Sequence, residues 1–395
     1  MLEYDVAIVG GGPVGSFVAS KIAREKFNVA VFEKNKKIGL PLNCAGLITH
    51  RVFEFLSIPK NIVIQNEIKG AHIFSPSGKI LTIGGNKVYG VAIDRIKFDK
   101  ELMKNAKNNG AEFFRGNNVL YVQKNKGFVE IKTSEKVDIR CKLVIGADGP
   151  HSTIRDRFVF PEPREFLRGI GAEVYNINID PDFVNIFVGK DIAPGFFAWI
   201  IPTKHDGTSA RIGLCIRQDA VYSPKYYFSN FLKNKHVSEY LKNMIISRDM
   251  GGIIPLGVLK KTYDSNVMLV GDAAAQVKPT SGGGIYPGLL CAKHCANVAL
   301  EALRNDDFSA SSLKKYQKLW SRDFGNELNM GKKFRIIFKK LTDKQIDKYI
   351  EKFQNLKIIG IVNKYGDIDY PSKLVKPMLK KIPTLLKLAP SVIKE

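Results

Sequence analysis

A short apolar strand near the start of the chain runs straight into three glycines. Few sequence features restrict a fold so sharply. Residues 4–9 carry Val6, Ile8 and Val9, and Gly10-Gly11-Gly12-Pro13-Val14-Gly15 follows at once, giving GxGxxG. Residues 16–24 then have helical character, residues 28–32 form a second apolar strand, and Glu33 closes it. Strand, glycine turn, helix, strand and acid, in that order, make a βαβ unit for an adenine dinucleotide. Gly10 permits the tight turn, Gly12 lets the backbone approach a pyrophosphate with Val14 beside it, and Gly15 lets the helix pack against the strand. The free amides and positive dipole end of the helix attract the phosphates. Glu33 can accept from ribose hydroxyls and would repel a ribose phosphate, which favours FAD or NAD over NADP.

The rest of the composition bounds the class. The chain has 395 residues, 45% hydrophobic and 25% charged, enough for two packed lobes of an ordinary globular protein. No run of about 18 apolar residues marks a membrane span, and residues 1–9 lead into the glycine turn and not into a secretory cleavage site. Five cysteines, Cys44, Cys141, Cys215, Cys291 and Cys295, are odd in number and irregular in spacing. They predict reduced thiols and a cytosolic setting, with no disulfide framework. Cys291 and Cys295 have only His294 nearby, so no metal site is expected. The net charge is +23, and from Ser311 onward 20 Lys and Arg stand against 8 Asp and Glu, more than half the surplus. No nucleic-acid module accompanies this charge, so an anionic membrane face or a phosphate-bearing substrate is the expected partner.

Two later segments separate FAD from NAD. Residues 142–146 form a strand leading into Ala147-Asp148-Gly149-Pro150-His151-Ser152-Thr153-Ile154-Arg155. Residues 267–270 form another, leading into Gly271-Asp272-Ala273-Ala274, then Pro279, Ser281, Gly282-Gly283-Gly284-Ile285 and a helix from about Tyr286. These resemble the DG and GD motifs of the flavoprotein hydroxylase superfamily, the para-hydroxybenzoate hydroxylase fold. The resemblance implies FAD, with Asp148 and Asp272 in the cofactor site and Asp272 on the ribityl chain. Backbone amides at Gly284 and Ile285 would face the pyrimidine end of the flavin. Residues 91–99, Val-Ala-Ile-Asp-Arg-Ile-Lys-Phe-Asp, also resemble a family segment and lead into an amphipathic helix over about 98–108. By that resemblance Arg95 meets the cofactor's phosphates and Val119 offers a backbone contact to adenine.

A narrower resemblance lies in Pro41-Leu42-Asn43-Cys44-Ala45-Gly46 and in Gly195-Phe196-Phe197-Ala198-Trp199-Ile200-Ile201-Pro202. They are similar to the PxxCxG and YxWxFP motifs of the geranylgeranyl reductase family, with Phe197 in place of tyrosine and Ile201 in place of phenylalanine. The likeness covers roughly the first 300 residues. It implies an α/β (α+β overall) architecture: a Rossmann-like FAD domain (1–63, 90–157, 258–310) interrupted by an antiparallel-sheet substrate domain (64–89, 158–257), then a C-terminal helical region (311–395). An alternating stretch is predicted to begin at Glu173, Tyr175, Ile177 and Ile179. Cys44, Ala45 and Gly46 would lie by the flavin, with Cys44 either a buried small residue or a proton relay. Phe197, Trp199, Ile201 and Pro202 would line an apolar substrate cavity.

The activity implied is alkene reduction on geranylgeranyl chains of archaeal-type glycerophospholipids, with the electron donor left open among NAD(P)H, a reduced deazaflavin and ferredoxin. Rival readings are an FAD-dependent monooxygenase and a membrane-associated electron-transfer flavoprotein; the lack of a cysteine cluster for an iron–sulfur centre weighs against the latter. Residues 313–340 read as helical, basic on one side and aromatic on the other. Residues 373–395 mix Lys373, Lys376, Lys380, Lys381 and Lys387 with leucines and with Pro377, Pro383 and Pro390, which forbid one long helix. Such pieces suit peripheral attachment to an anionic bilayer or simple packing on the core.

Overall fold

A computed structural model describes residues 1–354 and 356–381. Its first sheet has eight strands. Five run parallel, in the order Glu112–Arg115, Val29–Glu33, Leu2–Val9, Ile139–Gly146 and Val267–Leu269. The central strands are continuous apolar runs because both faces are buried: Val6, Ile8, Val31 and Ile145 on one face and Ala7, Ala30 and Val144 on the other are fully buried. The hairpin Val119–Lys124/Val129–Thr133 pairs antiparallel onto Ile139–Gly146. The helices Pro13–Ala23, Arg95–Asn108 and Ile285–Asn305 pack together over the centre. The first begins at Pro13, three residues before the predicted start, because proline's missing N–H costs nothing at a helix's first position. The second also starts three residues early, because the Asp94 carboxylate accepts from the N–H groups of Ile96 and Lys97.

The second sheet has seven strands, in the order Ile245–Leu256, Glu165–Tyr175, Ser209–Arg217, Ala198–Pro202, Phe183–Phe187, Gly70–Phe74 and Ile80–Gly84. It is antiparallel except at one place: Phe183–Phe187 runs parallel to Gly70–Phe74, which enters from a distant part of the chain. The alternating stretch lies earlier than expected. The strand is Glu165–Tyr175, while Ile177 and Ile179 are buried in irregular chain beyond it. On one face Ala172, Val174, Ile200, Ile212 and Leu214 are covered by the helix Pro224–Lys233 through Tyr227 and Phe231. The opposite face turns toward the glycine-rich loops of the first sheet. A small sheet of Leu47–Ile48, Gly90–Ile93 and Ile64–Ile68 joins the two layers.

The chain then continues as Ala310–Trp320, a π-helical turn Ser321–Gly325, Asn326–Lys340, Asp343–Phe353, Leu356–Tyr365 and Val375–Lys381. The predicted aromatic side of 313–340 is core: Leu313, Tyr316, Trp320, Phe324 and Leu328 are all buried. Arg335 clamps this region to the second sheet. Its Nε and Nη2 donate to Glu165 at 3.0 and 2.7 Å, its Nη1 to the Gly195 carbonyl at 2.9 Å, and it stacks over Phe196. Lys387, Pro383 and Pro390 lie outside the described residues. Among the described residues no helix is long and apolar enough to cross a membrane.

Candidate cofactor and active site

The three motif glycines do different work. Gly10 has φ +106°, and a Cβ there would lie 2.1 Å from the Ala147 carbonyl oxygen, so the turn is held against the Asp148 loop. A Cβ on Gly15 would lie 1.9 Å from the Gly10 oxygen, the close helix–strand approach expected of it. A Cβ on Gly12 would meet nothing within 4 Å, so its backbone borders open space. Val14 packs toward Gly271 and Gly288. Glu33 is tied down over this loop. Its Oε2 accepts the Gly11 N–H at 2.9 Å, and its Oε1 accepts the Asn35 backbone and side-chain N–H groups at 2.8 and 2.9 Å. Asn117 N–H donates to the Glu33 carbonyl at 3.0 Å, which brings buried Val119 to the same end of the sheet. Asp148 is spent on its own turn, accepting Ser152 Oγ at 2.6 Å and Ile154 N–H at 3.1 Å; burial raises its pKa and these bonds oppose the rise.

Arg95 is the hub of the next group. Its Nη2 donates to both carboxylate oxygens of Asp99 at 3.0 Å, while its buried Nε has no partner among the described residues. Burial alone would lower its pKa, but Asp99 and Cys44 hold the guanidinium above its ordinary range. Cys44 therefore sits against Arg95, and its Sγ also accepts the Gly46 N–H at 3.4 Å. Gly46 adopts φ +69°, where a Cβ would press on Arg95, Arg211 and the Ile93 oxygen. Asp272 lies within reach of the Arg95 charge, and its carboxylate accepts no hydrogen bond from the described residues. Burial pushes its pKa up to about 6, against the opposing pull of Arg95. A Cβ on Gly284 would lie 2.7 Å from Asp272 Oδ1, so the loop opening the helix Ile285–Asn305 passes directly over this carboxylate. Cys44, Arg95, Asp272, Gly284 and Ile285, scattered along 241 positions of the sequence, thus form one continuous group.

The apolar candidates are only partly brought together. Trp199 and Ile201 point to the face turned toward this group, and Trp199 shares a cluster with Ala45, Leu47 and Ile186. Phe197 stacks on Phe196 at 4.3 Å and meets Trp199 edge-on at 6.2 Å. The strand's pleat turns Pro202, with Ala198 and Ile200, to the opposite side. From Trp199 a seam of apolar side chains continues through Ile186, Ile73, Ile83 and Phe197 and reaches Phe338, Leu341, Phe353 and Ile359 of the C-terminal helices. Most of these are half-buried.

Two features of the site escaped the sequence reading. Arg211, fully buried, donates to Glu173 Oε1, the Ala45 and Ile93 carbonyls and Gln65 Oε1, all at 2.7–2.9 Å. It fastens the second sheet to the segment carrying Cys44. The second is a glycine floor: Gly169 pairs with Gly252 and Cys215, and Gly171 with Gly213. Gly252 lies beneath Asn43, and Gly251 N–H donates to the Leu42 carbonyl at 3.3 Å. The bare strands let residues 42–45 lie flat on the sheet. Composition could have hinted at the glycines, but only strand register puts them together.

These residues fit FAD. Open space beside the Gly12 backbone suits a diphosphate, the unpartnered Nε of buried Arg95 suits an anion, and the unpartnered Asp272 carboxylate suits a polyol hydroxyl. Among the described residues no cluster of His, Cys, Asp and Glu is arranged to hold a metal.

Residues 3–297 match the family described as FAD binding domain. Among known proteins, the chain is 35% identical to an uncharacterized protein of Methanocaldococcus jannaschii over 96% of both chains. It is 32% identical to the digeranylgeranylglycerophospholipid reductase of the same organism over 97% of both. Among solved structures, a geranylgeranyl bacteriochlorophyll reductase-like protein from Thermoplasma acidophilum superimposes with TM-score 0.87 at 28% identity over the full length of both chains.

Proposed function

The chain belongs to the geranylgeranyl reductase family of FAD-dependent oxidoreductases, and on that premise we propose that it saturates the double bonds of geranylgeranyl chains on archaeal-type glycerophospholipids. The observation that carries this reading is the continuous apolar seam from Trp199 to Phe353, whose head packs against Ala45 in the segment that carries Cys44. A long hydrocarbon gains free energy from such a wall.

Bound FAD, once reduced, supplies the hydride equivalent for one alkene carbon. The chain's own residues align the substrate and supply the proton for the other carbon. Gly10, Gly12 and Gly15 with Val14 shape the diphosphate turn, Glu33 takes the adenosine ribose, Val119 lies by adenine, and Asp148 holds the neighbouring turn. Arg95 meets the cofactor's phosphate region, Asp272 a ribityl hydroxyl, and Gly284, Ile285, Ala45 and Gly46 border the flavin ring. An unactivated alkene is a poor hydride acceptor, so proton delivery and alignment share the work. Cys44 is the proton donor of this scheme: its thiol is half-buried at the head of the seam, and Arg95 beside it stabilises the thiolate left behind. Phe197, Trp199 and Ile201 align the chain, and Pro202 supports the strand from behind. The domain division 1–63, 90–157, 258–310 against 64–89, 158–257, with 311–395 as a third, C-terminal region whose helices Asn326–Lys340, Asp343–Phe353 and Leu356–Tyr365 close the seam, follows the same scheme.

The electron donor of this scheme is NAD(P)H, a reduced deazaflavin or ferredoxin. The protein works from the cytoplasmic side, attached peripherally to an anionic bilayer. The test is to reduce the FAD-loaded protein with dithionite under argon, add digeranylgeranylglyceryl phospholipid, and weigh the products. Gain of two hydrogens per double bond is expected. Recovery of unaltered lipid sinks the assignment, and gain of a hydroxyl when the incubation is repeated in air establishes the monooxygenase in its place.

A further inference from the structure

Behind the glycine loop, a second buried ion pair joins Lys278 to Asp369. Lys278 Nζ donates to Asp369 Oδ1 at 2.8 Å and to the Ile368 carbonyl at 3.1 Å; Lys278 is 7% exposed and Asp369 1%. The other oxygen of Asp369 accepts from Thr49 Oγ1 and, at 3.3 Å, from Arg51 Nη1. A buried carboxylate so fully partnered links three stretches of chain that are far apart in sequence. Thr49 and Arg51 follow the Cys44–Gly46 segment by a few residues. Lys278 closes the glycine loop, with its N–H donating to the Gly283 carbonyl at 3.2 Å and its carbonyl accepting Gly282 N–H at 2.9 Å. Its ammonium would lie 3.4 Å from a Cβ on Gly283. Asp369 itself belongs to the C-terminal region.

We propose that Asp369 is a positioning residue for the flavin: from the C-terminal region it ties the Lys278 loop to the segment that follows Cys44, two stretches that would border the ring, and it sets how much of the Lys278 charge the ring would feel. This rests on the placement of Gly284 and Ile285 beside the flavin. Two consequences have opposite signs. Without the Asp369 charge, Lys278 is uncompensated and favours the electron-rich reduced cofactor. Without Lys278, the bias reverses.

The experiment uses the full-length protein loaded with FAD, comparing Asp369→Asn, Lys278→Gln and the double variant. FAD affinity is measured by fluorescence titration and the flavin midpoint potential by spectroelectrochemistry. Asp369→Asn should weaken FAD binding about tenfold, since a buried ion is left unpaired. It should raise the midpoint by about 30 mV, a tenfold change in the relative holding of the two redox states. Lys278→Gln should lower it by a similar amount, and the double variant should return near the parent. Gly284→Ala is the control for the underlying placement, because its Cβ would press on Asp272. If Gly284→Ala leaves FAD affinity unchanged, the placement fails and the proposal with it. If Gly284→Ala weakens binding while Asp369→Asn alters neither affinity nor midpoint, whatever it does to the melting temperature, Asp369 is only a structural tie and the proposal is overturned.

Discussion

Arg95 and Asp99, one helical turn apart, form a two-pronged ion pair from a single guanidinium nitrogen, 3.0 Å to each carboxylate oxygen, with both side chains nearly enclosed. Burial raises the pKa of Asp99, and Arg95 opposes that rise. Removing the acid strands a cation out of water. Asp99→Ala should destabilise the FAD-free protein by about 3–5 kcal/mol, read as a lower urea midpoint. Excess FAD should recover part of that loss by offering its diphosphate to Arg95. A variant with an unchanged midpoint would mean the pair is not needed to hold Arg95 in place.

Asp272 gives a prediction in pH. Its folded pKa is raised from the ordinary 3.8 to about 6, chiefly by burial. The neutral form is therefore the one the fold tolerates: relative to an amide, the side chain costs nothing below pH 3.8, and the cost grows between pH 3.8 and about 6 and levels off above that. Asp272→Asn should stabilise the FAD-free protein at pH 7.5 by about 1 kcal/mol, less than the full shift implies because solvent reaches the carboxylate. The gain should vanish by pH 4. FAD affinity should fall in the same variant, since the amide is a poorer acceptor for a ribityl hydroxyl. Thermal melts across pH with and without FAD check both signs.

Gly10 and Gly12 look alike in the motif and differ in what a methyl group would touch. At Gly10 it would collide with the Ala147 carbonyl at a positive φ, and at Gly12 it would meet no atom of the chain. Gly10→Ala should cost stability whether or not FAD is present, by about 2 kcal/mol or more. Gly12→Ala should leave the FAD-free melting curve within about 0.5 kcal/mol of the parent and still lose FAD. If both variants kept FAD, the diphosphate would have to lie elsewhere.

What the sequence made legible was whatever is local or rigidly spaced. The Gly10–Gly15 turn, the acid at Glu33 and the strand–loop units ending in Asp148 and Asp272 each lie within about 25 residues, and each uses a backbone geometry that only certain residues allow. Element ends slipped by two or three residues where a cap decided them, as at Asp94. The Glu165–Tyr175 strand was misplaced because its glycines at 169 and 171 blank out the alternation that reveals a half-buried strand. Arg211 and Asp369 stayed hidden for another reason. Their partners are up to 320 positions away, and no periodicity in one segment encodes a carbonyl in another.

Cys44 separates chemistry from packing. If it donates the proton, Cys44→Ala should keep bound FAD and its reduction by dithionite, while alkene reduction falls by about 10²–10⁴. Cys44→Ser should recover little, because a hydroxyl is a far weaker acid. Single-turnover assays following lipid mass and flavin reoxidation separate the steps. A variant that reduces lipid at the parent rate would assign the proton to water.

The helix Asp343–Phe353 sorts its charges by face. Each of its three acids takes a partner from the rest of the protein: Asp343 accepts from Lys190 N–H, Asp347 from Ser77 N–H and Oγ, and the exposed Glu351 from Lys79 Nζ. Ile346 and Ile350 are buried against the second sheet. Lys344, Lys348 and Lys352, four apart, are left in an exposed row. The acids are engaged by the protein itself, Glu351 by the Lys79 ammonium and the other two by backbone and hydroxyl donors, and the row presents three cations on the outside of a helix whose inner side walls the apolar seam. Each lysine near an anionic bilayer surface contributes about 1 kcal/mol. Reversing all three to glutamate should abolish sedimentation with phosphatidylglycerol vesicles at low salt and leave FAD binding intact. Parent binding should weaken steeply as ionic strength rises. Equal sedimentation of parent and variant, or none with anionic vesicles at any salt, would leave the row as a solvated face.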